Sequence, residues 1–317
     1  MINIRTDLAI EAAAIYNKTD EDIKKIEGVD VSTEVIEDIK ITHVAITNKN
    51  GEKTVGKKIG NYITIESPKI RDGSEENFDL TVKVLTEKLN SILKLKPNST
   101  ILTVGLGNWN VTPDALGPKV ISNLSVTRHL FEFVPEAIDS KKTFSMCAVS
   151  PGVLGITGIE TSEIIKGITE MVKPDVIIAI DALASRKTDR ISTTIQLADT
   201  GITPGSGVGN KRKGLDIEYL GVPVIAIGVP TVVDAATVAN DAMELLFKNI
   251  SEFSSNPTLK NVAESFDSSL RYSLIKEVLT PYVGNLIVTP KEVDEIIEDV
   301  SKIIAQGINN VILQENE

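Results

Sequence analysis

The sequence is poor in cysteine, histidine and aromatic residues. Its 317 residues include one cysteine, Cys147, and two histidines, His43 and His129. A single cysteine excludes an intrachain disulfide, and Cys147 lies in an apolar run that is typical of a buried strand. Two isolated histidines do not form a pair at the spacing of metal ligands. The sequence therefore predicts neither a metal site nor a cofactor.

Long apolar runs and positive charge are also scarce. No stretch approaches the ~20 apolar residues that a membrane-spanning helix needs, and the first residues lack the apolar centre of a signal peptide. The formal net charge of -11 disfavours binding to nucleic acid or to an anionic membrane. We therefore expect a cytoplasmic protein with neither nucleic acid nor membrane as a direct partner.

Hydrophobic residues make up 42% of the chain but aromatic residues only 4%, so Val, Ile, Leu and Ala must form most of the core. Short apolar runs occur at residues 99–106, 143–149, 175–181 and 222–228, and helical patterns separate most of them. Alternation of strands and helices is typical of βαβ units. The pattern predicts an α/β fold with a mostly parallel twisted sheet and helices on both faces.

The N-terminal third has a different pattern. Residues 41–46 and 62–65 alternate between apolar and polar side chains, and Asn50-Gly51 lies between them. Because Asn-Gly between two alternating runs is typical of a β-turn, we predict a small antiparallel hairpin here. Helical spacing of apolar residues predicts further helices over residues 77–95 and 291–306.

A first candidate site follows the apolar run 99–106. Gly105 and Gly107 permit a tight turn and a close approach of the backbone to a ligand. Asn108 follows them, and Asp114 stands near the start of the next predicted helix. The same residues also have an ordinary structural interpretation, because Asp is a common helix N-cap and Gly-x-Gly is a common strand exit.

A second candidate is Asp181, which ends the apolar run 175–181. Ligands bind at the carboxyl ends of strands in open α/β sheets, although a lone Asp there is equally well explained as a cap or as a partner of Arg186 or Arg190. Asp114 and Asp181 both follow strand-like runs and both begin an Asp-Ala-Leu. If their strands are neighbours, one carboxyl group keeps its proton and the other loses it, which suits acid–base hydrolysis of an amide.

A third candidate is the glycine-rich stretch 199–214, which contains Gly205 and Gly207 and ends in cations that include Lys211 and Arg212. Such a stretch can form a nest for an anion, grip an extended peptide, or be a surface loop with solvated cations. The sequence leaves these interpretations open.

The segments 104–108, 112–119, 174–184, 204–213, 228–235 and 288–293 together resemble the germination protease family of spore-forming bacteria. The resemblance covers nearly the whole chain, with weaker stretches at 17–40 and 250–272. The spacing from Gly-Leu-Gly-Asn to Asp114 is also similar to that of hydrogenase-maturation peptidases, whose fold the family resembles.

The resemblance implies an atypical aspartic endopeptidase that degrades small acid-soluble spore proteins in the spore core during germination. It implies that Asp114 and Asp181 are the catalytic pair and that the chain is made as an inactive zymogen that forms a homotetramer. Substrates of the family are cut between an acidic and a large apolar residue that alanine follows, which matches Asp7, Leu8 and Ala9. We therefore expect a propeptide of residues 1–7, self-cleavage between Asp7 and Leu8, and a single peptidase domain over residues 8–317.

Substrate contacts are expected from two groups of residues, and two other functions stay open. The same carboxylates together with His129 could hold the metal of a metallopeptidase, or the chain could be a non-catalytic scaffold that binds a peptide or a metal. The glycine loops are expected to contact the substrate backbone, and nearby cations its acidic residue: Gly105, Gly107, Asn108, Gly205 and Gly207 for the backbone, and Lys211, Arg212 or Arg128 for the acid.

Overall fold

The structure is a computed structural model. It describes residues 6–16, 26–71, 73–139, 142–203, 213–253 and 286–314, and between the last two ranges also residues 256, 258, 272–275, 277 and 278. No helix within these residues is both long and apolar enough to cross a membrane.

The strands that lie within the described residues form one sheet. In chain order they are β1 Val29–Ile36, β2 Ile39–Ile46, β3 Gly60–Glu66, β4 Thr100–Gly105, β5 Ser145–Val149, β6 Val176–Ser185, β7 Thr194–Ala198, β8 Val224–Asp234 and β9 Ile287–Val288. The α-helices are α1 Ala9–Tyr16, α2 Lys49–Val55, α3 Glu75–Leu93, α4 Leu116–Ser122, α5 Arg128–Phe133, α6 Leu154–Thr157, α7 Thr161–Val172, α8 Ile217–Leu220, α9 Ala235–Phe253 and α10 Val293–Leu313.

The sheet is mixed, with the strand order β1-β2-β3-β7-β8-β6-β4-β5 and β9 paired to the end of β8. Strands β8, β6, β4 and β5 run parallel to one another. Strands β1, β2, β3, β7 and β8 are joined by antiparallel pairs. The α/β class is confirmed, but the prediction of a mostly parallel sheet is wrong. The antiparallel part extends well beyond one hairpin, because β7 pairs with β3 on one side and with β8 on the other, and so joins the N-terminal strands to the parallel part.

Helices cover both faces of the sheet, as predicted. Along β6, Ile178 and Ile180 belong to an apolar cluster that includes residues of α3 and α10. Ile177 and Ala179 belong to a second cluster on the opposite face, with Ile165 of α7. Successive side chains of a strand point to opposite faces, so a strand that is covered on both faces needs a continuous apolar run.

The predicted hairpin is present as the antiparallel pair of β2 with β3, but its connection differs from the prediction. Asn50 and Gly51 lie inside α2 and do not form a β-turn. The side chain of Asn48 caps this helix, because its Oδ1 accepts hydrogen bonds from the N–H groups of Asn50 at 2.9 Å and Gly51 at 3.0 Å. The cap satisfies backbone donors of the first turn, which favours a helix over the tight turn.

The Asn48 cap can be tested by substitution. Asn48→Ala removes the acceptor for two helix N–H groups, so we expect the free energy of unfolding to fall by about 1 kcal/mol. Urea denaturation followed by circular dichroism measures the change. Asn48→Asp keeps an acceptor oxygen at the same place and should stay close to the original stability. Equal stability of the alanine variant and the original chain would contradict the capping role.

Candidate active site

The loop after β4 packs tightly against Asp114. Gly107 has a φ of 113°, and a Cβ at this position would lie 1.9 Å from the backbone oxygen of Asp114. Only glycine permits both the backbone conformation and the contact. Asp114 is the last residue of a 3-10 helix, Thr112–Asp114, that leads into α4.

A hydrogen bond orients the carboxylate of Asp114. Its Oδ2 accepts from the backbone N–H of Asn108 at 2.8 Å, and the side chain of Asn108 in turn accepts from the N–H of Asn110 at 3.0 Å. The predicted loop residues therefore have a structural role at Asp114, since Gly107 permits the approach and Asn108 supplies a donor. Gly105 ends β4, where a Cβ would lie 2.3 Å from the backbone oxygen of Gly117 in α4.

Asp181 lies inside β6 and does not end it. The strand continues to Ser185, because β8 continues beside it and pairs with it as far as Val233. The prediction that Asp181 marks the strand end is therefore wrong for β6. Asp181 does lie just beyond the end of the neighbouring strand β4, because the last pair of β4 with β6 joins Gly105 to Ile180. Asp181 is 5% exposed, and its Oδ1 accepts from the N–H of Ala182 at 3.0 Å.

The structure brings the segments that carry Asp114 and Asp181 to the same end of the sheet. The N–H of Leu106 donates to the carbonyl of Ile180, the residue before Asp181, at 2.8 Å. The 3-10 helix that ends at Asp114 contacts both β6 and β8. This edge is the carboxyl end of the parallel strands, where open α/β sheets bind their ligands.

The N-terminal segment docks on the part of β6 that extends beyond β4. The N–H of Asp7 donates to the carbonyl of Ala184 at 3.0 Å, and the N–H of Ala184 donates to the Asp7 carboxylate at the same distance. Asp7 thus satisfies both backbone groups of Ala184, one with its own N–H group and the other with its side-chain carboxylate. A β-bulge between Leu183 and Ala184 shifts the pairing of β6 with β8 at this point.

Two side chains contact the carbonyl oxygen of Asp7. Lys57, which follows α2, donates from Nζ at 2.8 Å, and Gln196 of β7 donates from Nε2 at 3.4 Å. The Oε1 of Gln196 also accepts from the N–H of Ala9 at 2.7 Å. The backbone on both sides of the Asp7–Leu8 bond is therefore held by the protein.

Leu8 is fully buried and packs with Ile10 and Leu183. Next to this contact lies a cavity of about 330 Å³, whose lining includes Asp7, Lys57, Gln196 and Gly228. Gly228 pairs with Asp181 across β6 and β8, and with Gln196 across β8 and β7. Neighbouring strands are about 5 Å apart. The backbone of Asp181 is therefore two strand spacings from the backbone of Gln196, whose side chain contacts the Asp7–Leu8 region.

Glu11, in the first turn of α1, is a buried carboxylate with several donors. It accepts from the N–H groups of Arg186 at 2.7 Å and Lys187 at 3.1 Å. Arg190 pairs with it at 3.2 Å and with Glu66 at 2.9 Å. Burial alone would lower the pKa of Arg190, but Glu66 and Glu11 raise it overall. These contacts fix the start of α1 to the segment that follows β6.

The remaining predicted residues fall into two groups. Arg128 begins α5, which packs against β5, two strands away from β6, and it pairs with Glu132 at 2.7 Å. The contacts of Asp7 described above are made by Lys57, Ala184 and Gln196. The other predictions lie outside the described residues: Gly205, Gly207, Lys211 and Arg212.

Neither thiol nor metal chemistry has structural support among the described residues. Cys147 lies partly buried on β5, and burial raises the pKa of its thiol, which opposes formation of a thiolate. Within the ranges that the structure describes, no group of three or more His, Cys, Asp or Glu side chains is placed to hold a metal. His129 lies on α5 beside Arg128.

The sequence analysis did not single out Lys57, Gln196 or Glu11. It named Arg190 only as a partner of Asp181, whereas the structure pairs Arg190 with Glu11 and Glu66. Gln196 carried a usable signal, since it is a polar residue with a long side chain between the apolar residues Ile195 and Leu197 of a strand. Lys57 carried none, because it is one of two adjacent lysines after a helix. Its role depends on contacts with a segment 50 positions away in sequence.

The structure is thus that of an α/β protein with two aspartate segments at the carboxyl ends of its parallel strands, which is where proteins of this class bind their ligands. Comparison with known proteins gives the particular family. The profile of a family described as Germination protease matches residues 7–265 and 259–317. This chain therefore belongs to the germination protease family and is a peptidase of spore germination.

Relatives from several organisms agree with this assignment. The chain is 52% identical to the germination protease of Caldanaerobacter subterraneus subsp. tengcongensis over 310 residues, which are 98% of this chain and 94% of that protein. It is 50% identical to the germination protease of Clostridium perfringens over 318 residues, which are 100% and 97% of the two chains. It is 42% identical to that of a Geobacillus species, with 98% and 93% covered.

Gly107→Ala tests the close packing of the loop against Asp114. The added methyl group would clash with the Asp114 backbone oxygen and the φ of 113° would be strained, so we expect a loss of roughly 1–3 kcal/mol in the free energy of unfolding. Denaturant titration measures it. Gly155→Ala is the matched control, since its Cβ would meet nothing within 4 Å. Similar stabilities of the two variants would contradict the packing argument.

Proposed function

We propose that this chain is an endopeptidase that begins the degradation of small acid-soluble spore proteins, with Asp114 and Asp181 as its catalytic pair. The observation that carries the proposal is the docking of residues 6–11 beside the strand that contains Asp181. Asp7, Leu8 and Ala9 have the acidic, apolar, alanine order expected of a cleavage site. Asp7 and Leu8 immediately precede helix α1, and the Asp7 carbonyl is held by Lys57 and Gln196.

The chemistry follows from two carboxyl groups near one bond. Two neighbouring carboxyl groups cannot both ionise cheaply, so one holds a proton while the other is charged. The charged group takes a proton from the attacking water, and the protonated group gives its proton to the leaving nitrogen. The burial of Asp181 and the position of both aspartate segments at the same end of the sheet support this assignment.

The same proposal includes a precursor that cuts itself. Residues 1–7 are a propeptide, and cleavage between Asp7 and Leu8 leaves residues 8–317 as the mature enzyme. Support comes from the side chain of Gln196, which contacts the chain on both sides of this bond, at the Asp7 carbonyl and at the Ala9 N–H. We further propose, from the family resemblance, a homotetrameric precursor in the spore core.

Asp114→Asn and Asp181→Asn test the catalytic pair. Each substitution replaces an ionisable carboxyl group by an amide of nearly the same shape. Each should therefore abolish both self-cleavage and substrate cleavage while the fold is kept. Intact-mass spectrometry of the purified precursor over time follows the loss of residues 1–7, and circular dichroism checks the fold. The original chain should lose this segment without added protease, which a non-catalytic scaffold cannot do.

Asp79→Asn is the matched control, because Asp79 is exposed on α3. It should mature at the original rate. Maturation of either Asp114→Asn or Asp181→Asn at that same rate would rule out the pair.

Metal removal distinguishes this chemistry from that of a metallopeptidase. Hydrolysis by carboxyl groups alone needs no metal, so activity should survive exhaustive chelation, with metal content verified by elemental analysis. The readout is the initial rate of cleavage of a small acid-soluble spore protein before and after chelation. Loss of activity that Zn²⁺ or Mn²⁺ restores would instead support a metal held by these carboxylates.

A further inference from the structure

We propose that Lys57 is a further catalytic residue, whose ammonium group stabilises the negative charge that develops on the carbonyl oxygen of the bond being cut. The inference rests on the proposed function, because it takes Asp7–Leu8 as the scissile bond. Its basis is one contact: Lys57 Nζ donates to the Asp7 carbonyl oxygen at 2.8 Å. The oxygen of this group becomes an oxyanion during hydrolysis of the Asp7–Leu8 bond.

The position of Lys57 is set by the fold. Helix α2 ends at Gly56, which has a φ of 72° and returns its N–H to the carbonyl of Glu52. Lys57 follows at once, before the chain enters β3, so its backbone is held between two regular elements. Its side chain lines the cavity next to Leu183 and Gln196. A side chain held in this way meets the carbonyl with little further ordering, which is the condition for electrostatic stabilisation of a transition state.

The attraction between the Lys57 ammonium group and the carbonyl oxygen is strongest in the transition state, when that oxygen carries negative charge. The pKa of Lys57 is lowered, because burial disfavours the ammonium form; the carboxylates of Asp7 and Glu11 favour that form and oppose the shift only in part. An ammonium group gains little from a neutral carbonyl oxygen but much from an oxyanion, because Coulomb attraction between opposite charges is stronger away from bulk water. An interaction that strengthens only as charge develops accelerates the reaction without holding the substrate more tightly.

Gln196 differs from Lys57 in its role. Its Nε2 lies 3.4 Å from the Asp7 carbonyl oxygen, a long distance for a hydrogen bond, while its Oε1 accepts from the Ala9 N–H at 2.7 Å. It also carries no charge. Gln196 is therefore a positioning residue that holds the peptide on both sides of the bond, and Lys57 supplies the cation.

Hydrolysis of the Asp7–Leu8 bond uses the aspartate pair as base and as acid. The unprotonated carboxylate of the aspartate pair takes a proton from water, whose oxygen bonds to the Asp7 carbonyl carbon, and the π electrons move onto the carbonyl oxygen beside Lys57. The oxyanion then re-forms the double bond, and the bond to the Leu8 nitrogen breaks. The protonated carboxyl group gives its proton to that nitrogen. One water is consumed, the products are an Asp7 α-carboxyl group and a Leu8 amino group, and Lys57 neither gives up nor takes up a proton.

The experiment compares first-order rates of self-cleavage in the full-length precursor. Lys57→Met removes the cation and should slow the loss of residues 1–7 by about 100- to 1000-fold, as loss of one oxyanion donor does in other hydrolases. Lys53→Met, an exposed lysine of α2, is the matched control and should cleave at the original rate. Intact-mass spectrometry provides the rates for both variants.

A second readout separates catalysis from docking. In the uncleaved Asp114→Asn background, hydrogen exchange of a peptide covering residues 182–187 reports whether Asp7 and Glu11 still protect the N–H groups of Ala184, Arg186 and Lys187. We expect the same protection with and without Lys57→Met. Loss of protection would mean that Lys57 only docks the segment, and would overturn the inference.

Two further outcomes are decisive. If Lys57→Met does not fold, Lys57→Gln replaces it, since glutamine keeps a donor without the charge; it should be slowed at least ~10-fold, and an unchanged rate would overturn the inference. Asp114→Asn separates this result from the parent proposal. If Lys57→Met cleaves itself at the normal rate while Asp114→Asn does not cleave, only the catalytic role of Lys57 is ruled out. If Asp114→Asn cleaves itself at the normal rate, the catalytic role of the aspartate pair is ruled out.

Discussion

The unequal length of neighbouring strands is the constraint on which the site depends. β6 has ten residues and β8 has eleven, whereas β4 has six and β7 has five. The long strands pair with each other to Ser185 and Val233, so the last part of β6 extends beyond β4. Backbone groups on such an extension need partners, and Asp7 supplies them to Ala184. The peptide segment is thus held by the same hydrogen-bonding rule that builds the sheet.

Docking of this segment buries carboxylates in a chain with a net charge of -11. Burial of a charge is costly unless hydrogen bonds or an opposite charge compensate. Backbone N–H groups provide much of the compensation for Asp7 and Glu11, and Arg190 provides a cation. Alanines of α1 add apolar contact with strands of the antiparallel part: Ala9, Ala12 and Ala13 pack with Val44, Ile46 and Tyr62. Hydrogen bonds therefore determine where the segment lies, and small side chains let the helix approach the sheet.

Local patterns predicted the elements better than their arrangement. The four apolar runs are all strands, and the helix predicted over 77–95 is α3. The direction of the strands was harder, because an apolar run that is buried on both faces has the same composition in either direction. The Asn50-Gly51 turn failed because Asn48, two residues earlier, caps a helix through its side chain. A competing hydrogen bond decided between two locally acceptable structures.

The sequence by itself determined the α/β class, the strand-forming runs, the family and the two aspartates as candidates, since each depends on residues that are close together in the chain. Only the tertiary structure decided that β6 extends beyond Asp181, that Lys57 and Gln196 meet the Asp7 carbonyl, and that Arg190 joins Glu11. These contacts link segments that are 50 to 189 positions apart. Their geometry follows from strand order and strand length, which a linear pattern does not contain.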